Sequence, residues 1–173
     1  RSKSGTVRYV GMKCTSEYFT VIGLTPLLGR YFTPDERIPG HDNVAVVTQS
    51  YWEKEFHGDP KIVGQQVRLS GTPVTIVGVL PRSFEQLSTA PVLMMPFVWR
   101  PDQEDPRRRL YFNGSITARI KPGVAHGAAL AQLQTLEDRN RATLADPQLR
   151  EFMYSGGFRV GLIQLRAQQT EKI

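Results

Sequence analysis

Asn43-Val44-Ala45-Val46-Val47-Thr48-Gln49-Ser50-Tyr51-Trp52-Glu53-Lys54-Glu55-Phe56 begins apolar and β-branched and ends charged, and its reading decides the fold. Val44 to Val47 reads as a buried strand, the state that consecutive β-branched side chains favour. Thr48 then offers a side-chain oxygen to the first unpaired amides of a helix running from Gln49 to Phe56. On that helix Trp52 and Phe56 stand four apart and share a face as core anchors, while Glu53, Lys54 and Glu55 occupy the remainder. Gly58-Asp59-Pro60 ends the helix. Beyond it, Val67-Arg68-Leu69 and Val74-Thr75-Ile76-Val77-Gly78-Val79 flank Ser70-Gly71, the pattern of a tight hairpin. Strand, helix and hairpin in this order predict an α+β fold.

Upstream, Val7, Tyr9 and Met12 suggest an extended start over Thr6 to Lys13. Ser16 is placed to cap a short helix through Tyr18, Phe19 and Ile22, with Gly23 for the left-handed residue that closes it. Leu24-Thr25-Pro26 breaks away, and Gly29-Arg30-Tyr31-Phe32 leads to Thr33-Pro34-Asp35-Glu36. There Thr33 fits an N-cap, Pro34 the first helical position and Glu36 the far side of a capping box, in a turn that Pro39-Gly40 stops. Downstream, Pro81 to Pro106 is rich in proline and lacks periodicity, so it reads mainly as a surface crossing with one candidate strand at Val92 to Met95. Leu110 to Ile120 contains a further strand, and Lys121-Pro122-Gly123 turns into a helix starting near His126. Leu130, Leu133 and Leu136 stripe that helix for packing on a sheet, and it ends before Asp146-Pro147. Gly156-Gly157 precedes a last strand from Phe158 to Leu165.

The chain has 173 residues, 40% hydrophobic and 22% charged, enough for one medium domain or two small ones with a real core. The longest nearly apolar run, Pro91 to Trp99, is too short for a bilayer core that needs about 20 such residues. The opening Arg1-Ser2-Lys3 carries neither an initiator Met nor an apolar signal segment, so a piece of a longer protein is expected. A net charge of +6 and a pI near 9.7 would suit phosphate partners if the cations clustered. They do not: Arg107-Arg108-Arg109 follows Asp102, Glu104 and Asp105, a charge-mixed loop, and no nucleic-acid partner is expected. Cys14 is the single cysteine, which excludes an intrachain disulfide and any paired-thiol site and suits a small buried side chain.

Chemistry is hard to place. His41, His57 and His126 are far apart, with no pair at the spacing of a helical metal site. No serine sits in a G-x-S-x-G elbow or an S-x-x-K motif. Asp35 and Glu36 fit a helix cap, and Glu53 and Glu55 a wet helix face, better than an acid and base pair. Gly156-Gly157 lacks a GK[ST] ending, and no G-x-G-x-x-G opens a helix. Arg68, Arg82, Arg119 and Arg159 are isolated cations that read as solvated or paired with nearby acids. No catalytic, cofactor-binding or metal residue is assigned.

What remains is a set of ordered structural motifs. Tyr18-Phe19-x3-Gly23-x2-Pro26-x2-Gly29-Arg30-x-Phe32 is followed by Val44-Ala45-Val46-Val47-Thr48 and by Tyr51-Trp52-x3-Phe56-x-Gly58-Asp59-Pro60-x2-Val63-Gly64. Then come Val67-x-Leu69-x-Gly71-x2-Val74-x-Ile76-Val77-Gly78-Val79 and, later, Ala118-Arg119-x-Lys121-Pro122-Gly123-Val124. Together they resemble the extracytoplasmic core domain of MacB-like ABC transporter permeases over roughly Tyr9 to Glu137, in the flavour of the duplicated orphan permeases that lack a fused ATPase. The resemblance implies a porter-like βαβ lobe, built from residues 1–17 and 110–173, with a small inserted α/β lobe at 18–84 and a crossing segment at 85–109. It implies a domain between the first and second transmembrane helices of a longer chain, on the periplasmic or extracellular face of the bacterial inner membrane. It would transmit conformational change from cytoplasmic ATP hydrolysis and contact partner proteins or cargo. The implied partners are those transmembrane helices, a second permease copy, an ATPase subunit and a periplasmic adaptor, with no cofactor. The motif residues are glycines, prolines and aromatics with Arg30 and Asp59, which serve turns and packing. One departure is that the first strand lies so near Arg1 that an incomplete porter-like lobe is expected, which would expose a sheet edge. The competing reading is an independent secreted module that binds a ligand or peptide through exposed edges or through Pro81 to Pro106.

Overall fold

The β-branched run becomes an interior strand because its side chains meet apolar partners on both sides. In the computed structural model, which describes residues 8–87, 91–100, 114–144, 146–157 and 159–165, Val44–Thr48 is strand β3, preceded by β1 (Gly11–Cys14) and β2 (Leu28–Gly29). It is followed by β4 (Gln66–Leu69), β5 (Thr72–Leu80) and β6 (Leu93–Pro96). The helices are α1 (Tyr18–Ile22), α2 (Gln49–Phe56), α3 (Arg82–Glu85), α4 (His126–Ala142) and α5 (Pro147–Ser155). The molecule divides into two units, Arg1–Ala118 and Arg119–Ile173.

The first unit holds a mixed sheet in the order β1-β6-β3-β5-β2, with β4 also on β5. β1 runs parallel to β6, β6 antiparallel to β3, and β3 parallel to β5. β5 spans nine residues and so accommodates two neighbours along one edge, β4 at Thr72 to Thr75 and β2 at Gly78 and Val79. Between Ala45 and Val46 the register slips, from Ala45 opposite Ile76 to Val46 opposite Gly78. The extra residue, Val77, is a β-bulge and resets the alternation of side chains along β5. Ile76 and Val79 therefore face one core, with Val47, Ile62 and Leu93, under Tyr51, Trp52 and Phe56 of α2. Val77 and Leu80 face the other, with Cys14, Phe19, Val46, Phe84 and Met94. Both faces are covered, which explains why β3 reads as a continuous apolar run.

Local chemistry sets the element ends. Thr48 Oγ1 accepts the Tyr51 amide at the start of α2, as the sequence predicts. Ser70 and Gly71 have φ of 50° and 86° between Leu69 and Thr72, which face each other; two positive φ values match the twist of the flanking strands. Gly23 closes α1 in the left-handed region.

Several expectations need correction. The first strand begins at Gly11, later than the β-branched start suggested. Ser16 does not cap α1: Glu17 holds that position, and the Thr15 carbonyl accepts the Tyr18 amide instead. The turn after Thr33 is a 3₁₀ turn at Asp35–Arg37 with no side-chain cap from its first residue, so only the Glu36 half of the capping box forms. α2 closes on His57, φ 52°, ahead of Gly58. In the proline-rich segment read mainly as a surface crossing, the candidate strand at Val92 to Met95 does form, as β6, but it is interior, with Leu93, Met94 and Pro96 buried between β1 and β3; a short strand paired on both sides shows no alternation.

In the second unit Lys121-Pro122-Gly123 turns as predicted, with the Val124 amide donating to the Lys121 carbonyl at 3.1 Å, and α4 begins at His126. The strand expected over Leu110 to Ile120, which begins in the first unit, is not formed at 114–120, where Ile116 is 97% exposed; residues 110–113 lie outside the described residues. The last expected strand also forms no ladder at 159–164, and Phe158 is outside the described residues. Extended propensity without a neighbouring strand makes no sheet. Leu133 and Leu136 of the α4 stripe accordingly stay 36% and 50% exposed, with no sheet among the described residues of this unit. α4 ends at Ala142, before Asp146-Pro147 as expected, but α5 was not anticipated: Asp146 accepts the Gln148 and Leu149 amides and Pro147 takes the first turn, so the same dipeptide also starts a helix. No helix among the described residues is long and apolar enough to cross a membrane.

Candidate functional site

Four of the motif residues, Gly29, Arg30, Gly64 and Gly78, gather where β2 meets β5. Gly29 lies opposite Gly78, the Arg30 amide donates to the Val77 carbonyl at 2.9 Å, and the Leu27 amide donates to the Val79 carbonyl at 2.8 Å. A Cβ on Gly29 would lie 2.2 Å from the Val77 carbonyl oxygen, and one on Gly78 2.2 Å from the Arg30 carbonyl oxygen. The two backbones approach so closely that neither position accommodates a side chain. Pro26 stands just ahead of this crossing. Gly29, Arg30, Val63, Gly64, Ile76 and Val77 line a shallow open groove where β5 passes from β4 to β2. Its walls are mainly apolar.

Arg30 does not face that groove as an available cation. It grips Glu36 with two bonds, 3.0 and 2.7 Å, and also donates to the Tyr31 carbonyl at 2.9 Å. Glu36, 7% exposed, accepts the Thr33 amide at 2.8 Å as well. Burial pushes the Glu36 carboxyl up, but the Arg30 bonds and the Thr33 amide together hold it below its ordinary value. The fork geometry is the strong form of such a pair, and it ties β2 to the following turn. Sequence reasoning placed Glu36 in a capping box and Arg30 in a motif without joining them.

Aromatic packing fixes the same region. Phe19 is fully buried, stacks on Tyr31 with centroids 4.2 Å apart and meets Tyr18 and Phe32 edge-on at 5.6 Å each. The Tyr31 hydroxyl is buried with no hydrogen-bond partner, and burial pushes it up to about 12. On α2, Tyr51, Trp52 and Phe56 pack on the core while remaining half-buried, so they anchor from the rim and not from the interior. The Trp52 indole N–H donates to the Asp59 carbonyl at 2.9 Å over Gly58. Asp59 caps the turn Pro60–Ile62 by accepting the Lys61 amide, and Gly64 (φ 91°) follows that turn. Gly71 belongs to the hairpin, while Pro122 and Gly123 lie in the second unit, away in sequence from this cluster.

Polar side chains collect around α2. Tyr9 Oη donates to Glu55 at 2.5 Å, which together with burial lifts the phenol to about 12. Arg82 pairs with Glu53 at 2.5 Å, and Glu85 accepts both the Ser50 amide and its hydroxyl, at 2.9 and 2.5 Å. These partners are separated by 29 to 46 residues and carry no sequence signature. The histidines stay apart: His41 pairs with Asp35 at the surface, His57 closes α2 and His126 starts α4. Among the described residues no group of three His, Cys, Asp or Glu side chains could hold a metal ion. Cys14 is buried, and burial pushes its thiol up to about 12, the opposite of an activated nucleophile.

This is an arrangement of turns, close backbone contacts and tied ends, and it defines an architectural domain. The profile of one family, the MacB-like periplasmic core domain, matches residues 1–136, and the chain belongs to that family, the extracytoplasmic domain of MacB-like ABC-type permeases. No curated protein matches the chain. Among solved structures, it is similar to the periplasmic region of MacB from Actinobacillus actinomycetemcomitans, with 20% identity and a TM-score of 0.51, over 75% of this chain and 56% of that one. It is also similar to a domain of a putative permease protein from Porphyromonas gingivalis, with 16% identity and a TM-score of 0.49, over 73% and 52%. A third similarity is to the extracellular domain of the noncanonic ABC-type transporter YknZ from Gram-positive bacteria, with 24% identity and a TM-score of 0.35, over 53% and 55%. The chain thus spans little more than half the length of these structures.

Proposed function

We propose that this domain works mechanically: it sits on the extracytoplasmic face of the bacterial inner membrane and relays movements driven by cytoplasmic ATP hydrolysis to partner proteins or cargo. The observation that carries the reading is the family match across residues 1–136. It is supported by the character of the motif residues, which fix backbone crossings and ion-paired turns and supply no reactive pair. Energy transmission needs stiff elements joined at defined points, because a soft connection dissipates a displacement locally. The partners on this reading are the transmembrane helices of the same full-length chain, a second permease copy, an ATPase subunit and a periplasmic adaptor. We further propose that the full-length protein divides into a porter-like lobe, 1–17 and 110–173, an inserted lobe, 18–84, and a connecting segment, 85–109, with β1 and β6 sharing the sheet of the inserted lobe.

Topology mapping of the full-length protein tests this directly. A protease added outside intact spheroplasts should cut within this domain, with apolar spans flanking it in the gene. A full-length reading frame without spans, together with saturable peptide binding by the released protein, would favour the secreted binding module instead.

A further inference from the structure

We propose that α2 is a cross-tie that couples the chain entering β1 to the turn leaving β5. On a helix, residues four apart share a flank. Tyr51 and Glu55 form one flank, Gln49 and Glu53 the other, and Trp52 and Phe56 lie between them on the core.

Each flank holds a different part of the chain. On the first, the Tyr9 hydroxyl bonds Glu55, its ring meets Tyr51 edge-on at 5.0 Å, and Lys54 Nζ lies 5.8 Å from its centroid. On the second, Gln49 Oε1 accepts the Arg82 amide at 3.1 Å, Gln49 Nε2 donates to Glu53 at 2.8 Å, and Glu53 pairs with Arg82. Glu85 holds the Ser50 end. Tyr9 leads into β1, and Arg82 and Glu85 follow β5, strands separated in the sheet by β6 and β3. The seam between β6 and β3 is short, with register pairs at Val46 to Met94 and Val47 to Leu93 and the Thr48 amide donating to the Val92 carbonyl at 2.9 Å. A displacement of β1 therefore has one route to β5 through this short seam and a second, side-chain route over the sheet through α2.

The proposal deepens the mechanical reading, and its role in transport rests on that reading. The two fail separately: a tie shown in a domain that ignores nucleotide state would remove the transport role only. The test is native-state hydrogen exchange on the 173-residue chain carrying Tyr9→Phe, which keeps the ring and removes the bond. The readout is the Ser50 and Arg82 amides, which bridge α2 and the far attachment by donating to Glu85 and to Gln49 respectively. We expect both to exchange several-fold faster, with the Val67 and Val74 amides of the hairpin within about twofold of the parent. Reciprocally, Glu85→Gln should speed exchange in Gly11–Cys14. Faster exchange in β1 with Ser50 and Arg82 unchanged would overturn the tie, and so would equal acceleration everywhere including the hairpin. If Tyr9→Phe does not fold, Glu55→Ala removes the acceptor of the same bond and is read at the same amides.

Discussion

At the scale of single residues, the geometry makes sharper demands than the sequence shows. Gly78 looks like one more small residue in a strand, yet a methyl group there would collide with the Arg30 carbonyl oxygen at 2.2 Å. Gly78→Ala should therefore cost about 3 kcal/mol by forcing β2 off β5, measured as a lower denaturant midpoint; an unchanged midpoint would refute the close approach. Tyr31 presents the reverse case, a buried hydroxyl with no partner. Since an unsatisfied buried polar group is a net cost, Tyr31→Phe should be neutral or stabilising by about 1 kcal/mol, and a clear loss in thermal unfolding would reveal a partner for that hydroxyl. Glu36 makes stability depend on acid. Its folded ionisation lies below that of the unfolded chain, so its contribution is complete above the ordinary carboxylate range and fades as pH falls through the folded value. Glu36→Gln should lower stability at neutral pH and flatten that part of the acid limb in pH-dependent unfolding curves.

At the scale of elements, legibility followed how local the cause was. α2 and the Ser70-Gly71 hairpin were readable because cap, periodicity and turn residues lie within a few positions of one another. β6 was only half readable: its apolar run is short, and its burial comes from β1 and β3, remote in sequence. α5 was missed because Asp146-Pro147 suits a helix end and a helix start equally until the following residues are weighed. The Arg30 to Glu36 pair was hidden by giving each residue a separate local task. Trp52 shows how burial itself escaped. Four-residue spacing with Phe56 identified the right face, but the ring is half-buried and hydrogen-bonded to the Asp59 carbonyl. Trp52→Ala should therefore cost about 2 kcal/mol, less than the about 3–5 kcal/mol of a fully buried ring. Equilibrium denaturation checks this, and a cost below about 0.5 kcal/mol would remove Trp52 from the core account.

At the scale of the whole molecule, the sheet, its two cores and the side-chain bonds around α2 all belong to the first unit. The ordered glycine and aromatic motifs carried the family in the sequence, because turns and close approaches demand those residues wherever they stand in the chain. The second unit was less readable: the last expected strand forms no ladder at 159–164, because propensity does not supply a neighbouring strand. The central claim is that this domain changes conformation with the nucleotide state of a distant ATPase while performing no chemistry of its own. The most direct measurement is hydrogen exchange across Gly11–Pro96 in the full-length protein, embedded in membranes with its ATPase, compared between the nucleotide-free and ATP-trapped states. The account predicts altered protection in β1 and at the attachments of α2, with the hairpin of β4 and β5 unchanged. Identical exchange throughout this region in the two states would contradict it.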